Sequence, residues 1–187
     1  MVWSNRVRTL TAALLVLPAV LLAGCDQRDQ EADEGRFADE RSAPFLDAAR
    51  RGDLELVRSL LDAQIDVNVA DGEGVSALVA AAHRGNAEIV AILADSGADL
   101  NARYIDGSTA LILAAENGHV QVARTLVEAG ANLDLGDEDG STALMWAALD
   151  GYGEIVRLLL QAGADPDVHN KKRATALMAA AYQGHAQ

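Results

Sequence analysis

The sequence predicts an all-α fold in which short helix pairs repeat and stack. Glycine returns every 33 residues at Gly52, Gly85, Gly118, Gly151 and Gly184. Pairs of alanines keep the same step: Ala48-Ala49, Ala81-Ala82, Ala114-Ala115, Ala147-Ala148 and Ala180-Ala181. A fixed period of this length is typical of solenoids, in which each unit buries its apolar face against its neighbours. Hydrophobic residues make up 50% of the chain but aromatics only 4%, which suits close stacking of small helices.

One unit shows why each segment is predicted as it is. Thr109 is placed to cap a first helix, because its hydroxyl can accept from free amides of the first turn. Asn117-Gly118 ends that helix, and a second one begins at His119. Its apolar positions recur at helical spacing: Val122, Ala123, Leu126 and Val127. Such short helices are unstable alone, so stacking must supply the missing burial.

Residues 43–187 resemble the ankyrin repeat family. The motif T-P-L-H-x-A-A of that family stands here as SALVAAA at Ser76, TALILAA at Thr109, TALMWAA at Thr142 and TALMAAA at Thr175. Alanine replaces the proline and Val, Ile or Met the histidine; alanine remains a good helix former. The resemblance implies an ankyrin-repeat solenoid of helix-turn-helix units joined by β-hairpin-like arms, with about four and a half repeats. The units are expected near 43–70, 71–103, 104–136, 137–169 and 170–187, the last one incomplete.

The incomplete fifth unit predicts an uncovered helix. Gly184 marks the turn between its two helices, and only three residues follow. Leu177, Ala180 and Ala181 are therefore expected to be partly uncovered. We interpret the sequence as a fragment or a truncated gene product, since solenoids normally end in a polar capping unit.

The amino-terminal segment has the pattern of a secretory signal peptide. Residues 1–24 carry two arginines and then a short apolar run interrupted by Pro18. The following LAGC, Leu22 to Cys25, resembles the lipobox of bacterial lipoproteins, which implies cleavage before Cys25 and acylation of its thiol. An ordinary signal peptide with an unmodified thiol is the alternative. The rest of 25–42 is acidic and almost free of apolar residues, which predicts a disordered tether. The expected location is the periplasmic face of a bacterial membrane, inner or outer.

Composition and motifs argue against several functions. The net charge of −13 disfavours nucleic acid, whose phosphates attract Lys and Arg. The four histidines lack zinc-ligand spacing, and aligning Gly140 with an EF-hand loop puts non-ligands at its first and last positions. No nucleophile elbow, phosphate loop or dinucleotide motif occurs. We therefore expect no cofactor, no metal and no catalysis.

The family resemblance implies a partner-binding surface at the arm tips and the ends of the first helices. Carried onto this sequence, its residues are Glu73, Val75, His83, Arg84, Ile105, Asp106, Ser108, Glu116, Asn117, Glu138, Asp139, Ser141, Leu149, Asp150, Lys171, Lys172, Tyr182 and Gln183. Tyr104 and Trp146 are possible aromatic anchors, although the register of Trp146 favours the core. The alternative is that these residues are merely solvated loop tips.

The sequence thus predicts a monomeric protein-binding scaffold. Acidic residues crowd the tips of the third and fourth units, which favours a cell-envelope partner with a basic patch. A module that binds a ligand or ion through its acidic tips, and an enzyme, are the alternative functions.

Overall fold

The computed structural model of the protein describes residues 41–185, in which helices occur as antiparallel pairs along a stack. Their bounds are α1 Ser42–Arg51, α2 Leu54–Asp62, α3 Ala77–Arg84, α4 Ala87–Asp95, α5 Ala110–Glu116, α6 Val120–Glu128, α7 Ala143–Leu149, α8 Gly153–Gln161 and α9 Ala176–Gln183. The odd-numbered first helices pack on one another in order, and the even-numbered second helices form the adjoining layer. This confirms the predicted all-α repeat. The predicted signal peptide and Cys25 lie outside the described residues.

Side-chain caps start four of the first helices. The hydroxyl of Thr109 accepts from the amide of Ile112 at 3.3 Å, as the sequence predicts. The same contact recurs in the other motifs, from Ser76, Thr142 and Thr175. Each cap satisfies an amide that has no partner within the helix.

The first helix, α1, begins without such a cap. It starts at Ser42, which is buried and lies one residue inside the predicted tether 25–42. Pro44 falls in the first turn, where a missing backbone N–H leaves no helical hydrogen bond unmade. The folded part therefore begins slightly earlier than composition indicates, because the charged residues before Ser42 dominate the local average.

The turn within each pair is closed by the next unit. Gly118 has a φ of 71°, and a Cβ built there would lie 2.6 Å from the ring of Tyr152. The residue that follows each turn glycine occupies this position against the turn glycine of the preceding unit: Asn86 on Gly52, His119 on Gly85, Tyr152 on Gly118 and His185 on Gly151. Glycine is thus required here both for its left-handed backbone and for the space it leaves.

The core lies between the two helix layers and follows the period. Leu78, Leu111 and Leu144 occupy the same register and are 1%, 1% and 2% exposed. Helices α4, α6 and α8 each add a pair of fully buried side chains: Ile89 and Leu93, Val122 and Leu126, Ile155 and Leu159. Alanines fill the helix contacts between them, which lets neighbouring units approach closely.

The arms between units are short hairpins, as the resemblance implies. Antiparallel bridges join Ala70 to Ser76 and Gly136 to Thr142. Backbone hydrogen bonds close the corresponding loops of the other two arms, between Tyr104 and Ser108 at 2.9 Å and between Asn170 and Ala174 at 3.0 Å.

A ladder of side-chain amides and carboxylates joins the loops that follow the second helices. Oδ1 of Asn68 accepts from the amide of Asp99 at 2.7 Å, and Asn101 accepts from Asn132 at 2.9 Å. Asp134 continues the ladder to the amide of Asp165 at 2.9 Å. Short polar side chains at this register therefore connect each of the first three units to the next.

The fifth unit is less buried than the others. Helix α9 packs on α7, and Leu177 is 78% exposed although it holds the register of Leu144. The prediction of an uncovered helix is confirmed for Leu177, and Ala181 is also exposed. Among residues 41–185, no helix is both long and apolar enough to span a bilayer.

A candidate partner-binding surface

The arm tips have a defined conformation because the first side chain of the arm caps the turn. Oδ1 of Asp137 accepts from the amides of Asp139 at 2.9 Å and Ser141 at 2.8 Å. Asp71 and Asn170 make the same pair of bonds in their arms. Such Asx turns replace the conformational freedom of a loop with a fixed geometry. The tips can therefore present side chains without first becoming ordered.

The arm that begins the third unit, at Tyr104, uses a different capping residue. Tyr104 occupies the slot of Asp137, so it cannot cap, and Asp106 instead accepts from the amide of Ser108 at 2.8 Å. This places the Asp106 carboxylate within the turn, while Tyr104 packs its ring against the core.

Neighbouring tips are connected through the backbone. The amide of Glu138 donates to the carbonyl of Asp106 at 2.9 Å, and that of Lys171 donates to Asp139 at 2.8 Å. Arg103 adds a bond from Nη1 to the carbonyl of Gly136 at 2.8 Å. The arm tips of the third, fourth and fifth units therefore form one continuous row.

The ends of the first helices lie behind this row, and their chemistry changes along the stack. One register, repeated every 33 residues, holds His83, Glu116, Leu149 and Tyr182. It is polar in units two and three, with a carboxylate at Glu116, and apolar in units four and five. The surface is thus divided into two halves of different character.

The charged half contains a groove of about 430 Å³, which we call the polar groove. It runs between the second and third units, and its charged lining residues are Arg50, Glu73, Arg84, Asp106 and Glu116, while His83 also lines it. Arg50 forms an ion pair with Asp71 at 2.9 Å, with both side chains partly exposed. Such a pair contributes little to stability, so Arg50 remains available to rearrange.

Burial raises the pKa of Glu116 above its ordinary value of 4.5, and Asp106 and Asp150 raise it further. His83 opposes the shift, and Asp137 makes a smaller contribution in the raising direction. Carboxylates on the third and fourth units therefore repel one another at this point. A cation placed among them would relieve that repulsion.

The apolar half contains a second groove of about 460 Å³, which we call the apolar groove. It lies between the fourth and fifth units, and its large apolar residues are Met145, Trp146, Leu149, Met178 and Tyr182. Lys172, Asn170 and Ser141 form polar parts of its lining.

Trp146 is held at the edge of this groove. Its Nε1 donates to Oδ2 of Asp137 at 3.0 Å, and its ring is half-buried. The prediction that Trp146 belongs to the core was therefore only partly right. Ala80 and Ala179 share its register, and their side chains carry no polar atom. The indole N–H of Trp146 needs a hydrogen-bond partner, and it finds one in Asp137 at the surface.

Most of the predicted binding residues lie at the surface. The exposed ones are Glu73, His83, Arg84, Ile105, Asp106, Asn117, Glu138, Asp139, Asp150, Lys171, Lys172, Tyr182 and Gln183; Glu116, Ser141 and Leu149 are half-buried. Whether any of them binds a partner stays a prediction.

Val75 and Ser108 differ from that expectation. They are 9% and 4% exposed, because each is the last arm residue before a capping Ser76 or Thr109 and turns into the core. Their side chains offer almost no surface to a partner.

Sequence reasoning missed Met178 as a surface residue and Met145 as part of the lining of the apolar groove. They occupy the slot of the family histidine, and the sequence shows only that they are apolar. The period could have paired them, since Met178 lies 33 residues after Met145 at the same register of the first helix. In the structure Met145 is buried and Met178 is 57% exposed.

The described residues contain no cluster of three or more His, Cys, Asp or Glu side chains arranged to hold a metal ion. The surface can therefore offer hydrogen bonds, charges and apolar contacts. Together with the stacked helix pairs it defines a class of repeat solenoid that presents a row of ordered tips.

A family model described as ankyrin repeats (3 copies) matches residues 16–104, 45–137 and 103–170. These matches together cover well over half of the sequence, and the chain belongs to the ankyrin repeat family. Ankyrin repeats generally mediate protein–protein interaction, and proteins built from them are typically non-enzymatic scaffolds. No curated protein matches the chain.

Proposed function

We propose that this ankyrin domain binds another protein of the bacterial cell envelope. The partner's basic patch would lie opposite the third and fourth units. The supporting observation is that Asp106 and Asp150 lie near Glu116, whose pKa is raised first by burial and then by these two carboxylates. Glu138 and Asp139 extend the same sign of charge along the ordered tips. Charge complementarity of this kind speeds encounter and selects partners.

The proposal includes a membrane anchor at Cys25. The support is the sequence LAGC directly after an apolar run, with no second cysteine available for a disulfide. Acylation there and the acidic tether 25–42 would confine the domain near the periplasmic face of the membrane. Confinement raises the effective concentration for partners on the same membrane.

Charge reversal tests the binding face. The mature domain captures its partner from envelope extracts, and association is then measured with the triple variant Glu138→Lys, Asp139→Lys and Asp150→Lys. We expect association to slow at least tenfold and to lose its salt dependence. The matched control reverses Glu55, Glu88 and Asp95, three exposed acids on the second helices. Equal effects of the two triple variants would show that only net charge matters.

Cysteine substitution tests the anchor. Cys25→Ser is expected to leave an uncut precursor or to release the protein from membranes. Mature protein that begins at another residue, with unchanged membrane partition, would contradict the proposal.

A further inference from the structure

The surface that carries the proposed acidic face also contains an apolar groove that the basic-patch proposal leaves unused. Met178 is 57% exposed and Tyr182 is 85% exposed at its rim. The floor holds Met145 and the edge of Trp146. Thioether and aromatic side chains adapt to many apolar shapes and dominate the energetics of interfaces.

The groove is pre-formed on its fourth-unit side. Asp137 holds the indole of Trp146 with Oδ2 while its Oδ1 accepts two tip amides. Trp146 therefore loses little conformational freedom when an apolar side chain packs on it. Rigid aromatic anchors of this kind reduce the entropic cost of binding.

Charges of opposite sign border the groove. Asp150 directly follows Leu149 on the third-unit side, and Asp106 and Glu116 lie beyond it. On the other side the fifth tip exposes Lys171, Lys172 and Arg173, of which Lys172 lines the groove itself. From the third unit to the fifth, the surface is therefore acidic, then apolar, then basic.

This order of chemistry describes a complementary ligand. We propose that the partner binds through an extended segment with a basic, a large apolar and an acidic side chain, in that order along the stack. The inference rests on the proposed function and names the segment that the same surface accepts. The apolar side chain enters the apolar groove, the basic one meets Glu116 and its neighbours, and the acidic one meets Lys172.

The spacing of the units fixes the spacing of the basic and apolar side chains. Packed helices lie ~8–10 Å apart, and the apolar groove is centred about one and a half units beyond Glu116. That separation is about 12–15 Å, which an extended chain covers in about four or five residues at ~3.3 Å each. A helix is ~10–12 Å across, whereas a groove of about 460 Å³ accommodates individual side chains.

Synthetic peptides of defined spacing test the proposal. Each fluorescein-labelled peptide carries one Lys and one Phe, with the Phe two to eight positions after the Lys. Gly and Ser fill the intervening positions, and an Asp follows the Phe. A peptide with the Lys but without the Phe and Asp is the reference. Binding to the full-length protein in detergent is measured by fluorescence anisotropy. We expect affinity to peak when the Phe lies four or five positions from the Lys, at least tenfold above the shortest and longest peptides.

Two neighbouring substitutions provide a matched pair. Met178→Lys places a charge in the apolar groove and should reduce binding of the best peptide at least tenfold. Leu177→Lys is the control, because Leu177 is equally part of α9 and 78% exposed but does not line this groove. It should leave binding within twofold, and both variants should show unchanged circular dichroism.

The outcomes also separate this inference from the proposed function. The inference would be overturned if the affinity did not depend on the spacing, or if the Lys-only peptide bound equally well. If peptide binding in that case still fell on reversal of Glu138, Asp139 and Asp150, the proposed acidic face would stand. No binding of any peptide, together with envelope capture that ignores the same reversal, would overturn both.

Discussion

The indole nitrogen of Trp146 donates a hydrogen bond to Oδ2 of Asp137, nine residues earlier in the chain, at 3.0 Å. One carboxylate thereby connects the arm tip of the fourth unit to helix α7 behind it, since its other oxygen accepts two amides of the tip. The position of the tip and the position of the aromatic ring are set by the same side chain. A change at Asp137 must therefore affect both.

Substitutions at Asp137 should separate its two functions. Asp137→Asn keeps an oxygen for the two amides, as Asn170 does in the next arm, but leaves Trp146 without its acceptor. We expect a loss of about 1 kcal/mol for Asn and about 2–3 kcal/mol for Ala, measured by urea unfolding. In a Trp3→Phe background, both variants should shift the fluorescence of Trp146 to longer wavelength. Equal stability of the two variants would mean that the tip amides need no acceptor.

The turn glycines should be sensitive to a methyl group. Gly118→Ala imposes a left-handed backbone on alanine, which costs about 1–2 kcal/mol. The new Cβ would also lie 2.6 Å from the Tyr152 ring, and overpacking adds about 1–3 kcal/mol. Urea unfolding should thus show a loss of about 2–5 kcal/mol.

Gly130 supplies the control for that prediction. It has a φ of 91°, but nothing lies within 4 Å of an added Cβ. Gly130→Ala should therefore lose only the backbone part, about 1–2 kcal/mol. If both variants are equally destabilised, the contact between Tyr152 and the turn contributes nothing.

Stability should depend on the ionisation of Glu116. Because burial and the neighbouring Asp106 and Asp150 raise its pKa above 4.5, the folded protein binds this proton more tightly than the unfolded chain. Stability from this group is therefore lost as the pH rises through 4.5 to the raised pKa. Glu116→Gln removes the charge, so it should raise the Tm at pH 7 and leave it unchanged at pH 3.5.

Salt and a second glutamate control that measurement. Added salt should reduce the gain from Glu116→Gln at pH 7, because screening weakens the same repulsion. Glu128→Gln, at an exposed position of α6, should leave the Tm within error at both pH values. A gain at pH 3.5 as large as at pH 7 would contradict the electrostatic explanation.

Equivalent leucines should differ in their contribution to stability. Leu144 is 2% exposed and Leu177 is 78% exposed at the same register. Leu144→Ala leaves a cavity and should cost about 2–5 kcal/mol. Leu177→Ala should change the free energy of unfolding by at most about 0.5 kcal/mol. Similar losses would show that α9 is covered in solution.

Hydrogen exchange should follow the same gradient. Helix α9 packs on a first helix on one side, whereas α5 and α7 are packed on both sides. Amides from Thr175 onward should therefore exchange faster than those between Thr109 and Leu160. Equal protection of the two regions would contradict this prediction.

The period predicted most of the fold because it reports burial directly. Leu111 and its equivalents are apolar in every unit, and Thr109 combines a capping side chain with the start of an apolar stripe. The helix bounds around Gly118 follow from glycine chemistry and agree with the sequence to within a residue.

The surface was harder to predict because exposure depends on the neighbouring unit. Val75 and Ser108 occupy arm positions but turn inward, which no single-unit pattern shows. Met178 and Met145 share one register and differ in exposure because only Met145 has a further unit packed against it. The bond between Trp146 and Asp137 likewise requires knowledge of how the arm folds back on its helix.

The residue after each turn glycine contacts the turn glycine of the preceding unit, and this has a consequence for how such a gene can change. Asn86, His119, Tyr152 and His185 differ in size and chemistry, yet each occupies the same position against a glycine. Deleting residues 86–118 would place His119 on Gly52 and Tyr152 on Gly85, with both positions filled. Asn68 would then accept from the amide of Asn132, as it now does from that of Asp99. A deletion or duplication of one whole repeat by recombination would therefore keep these junction contacts occupied without a compensating mutation.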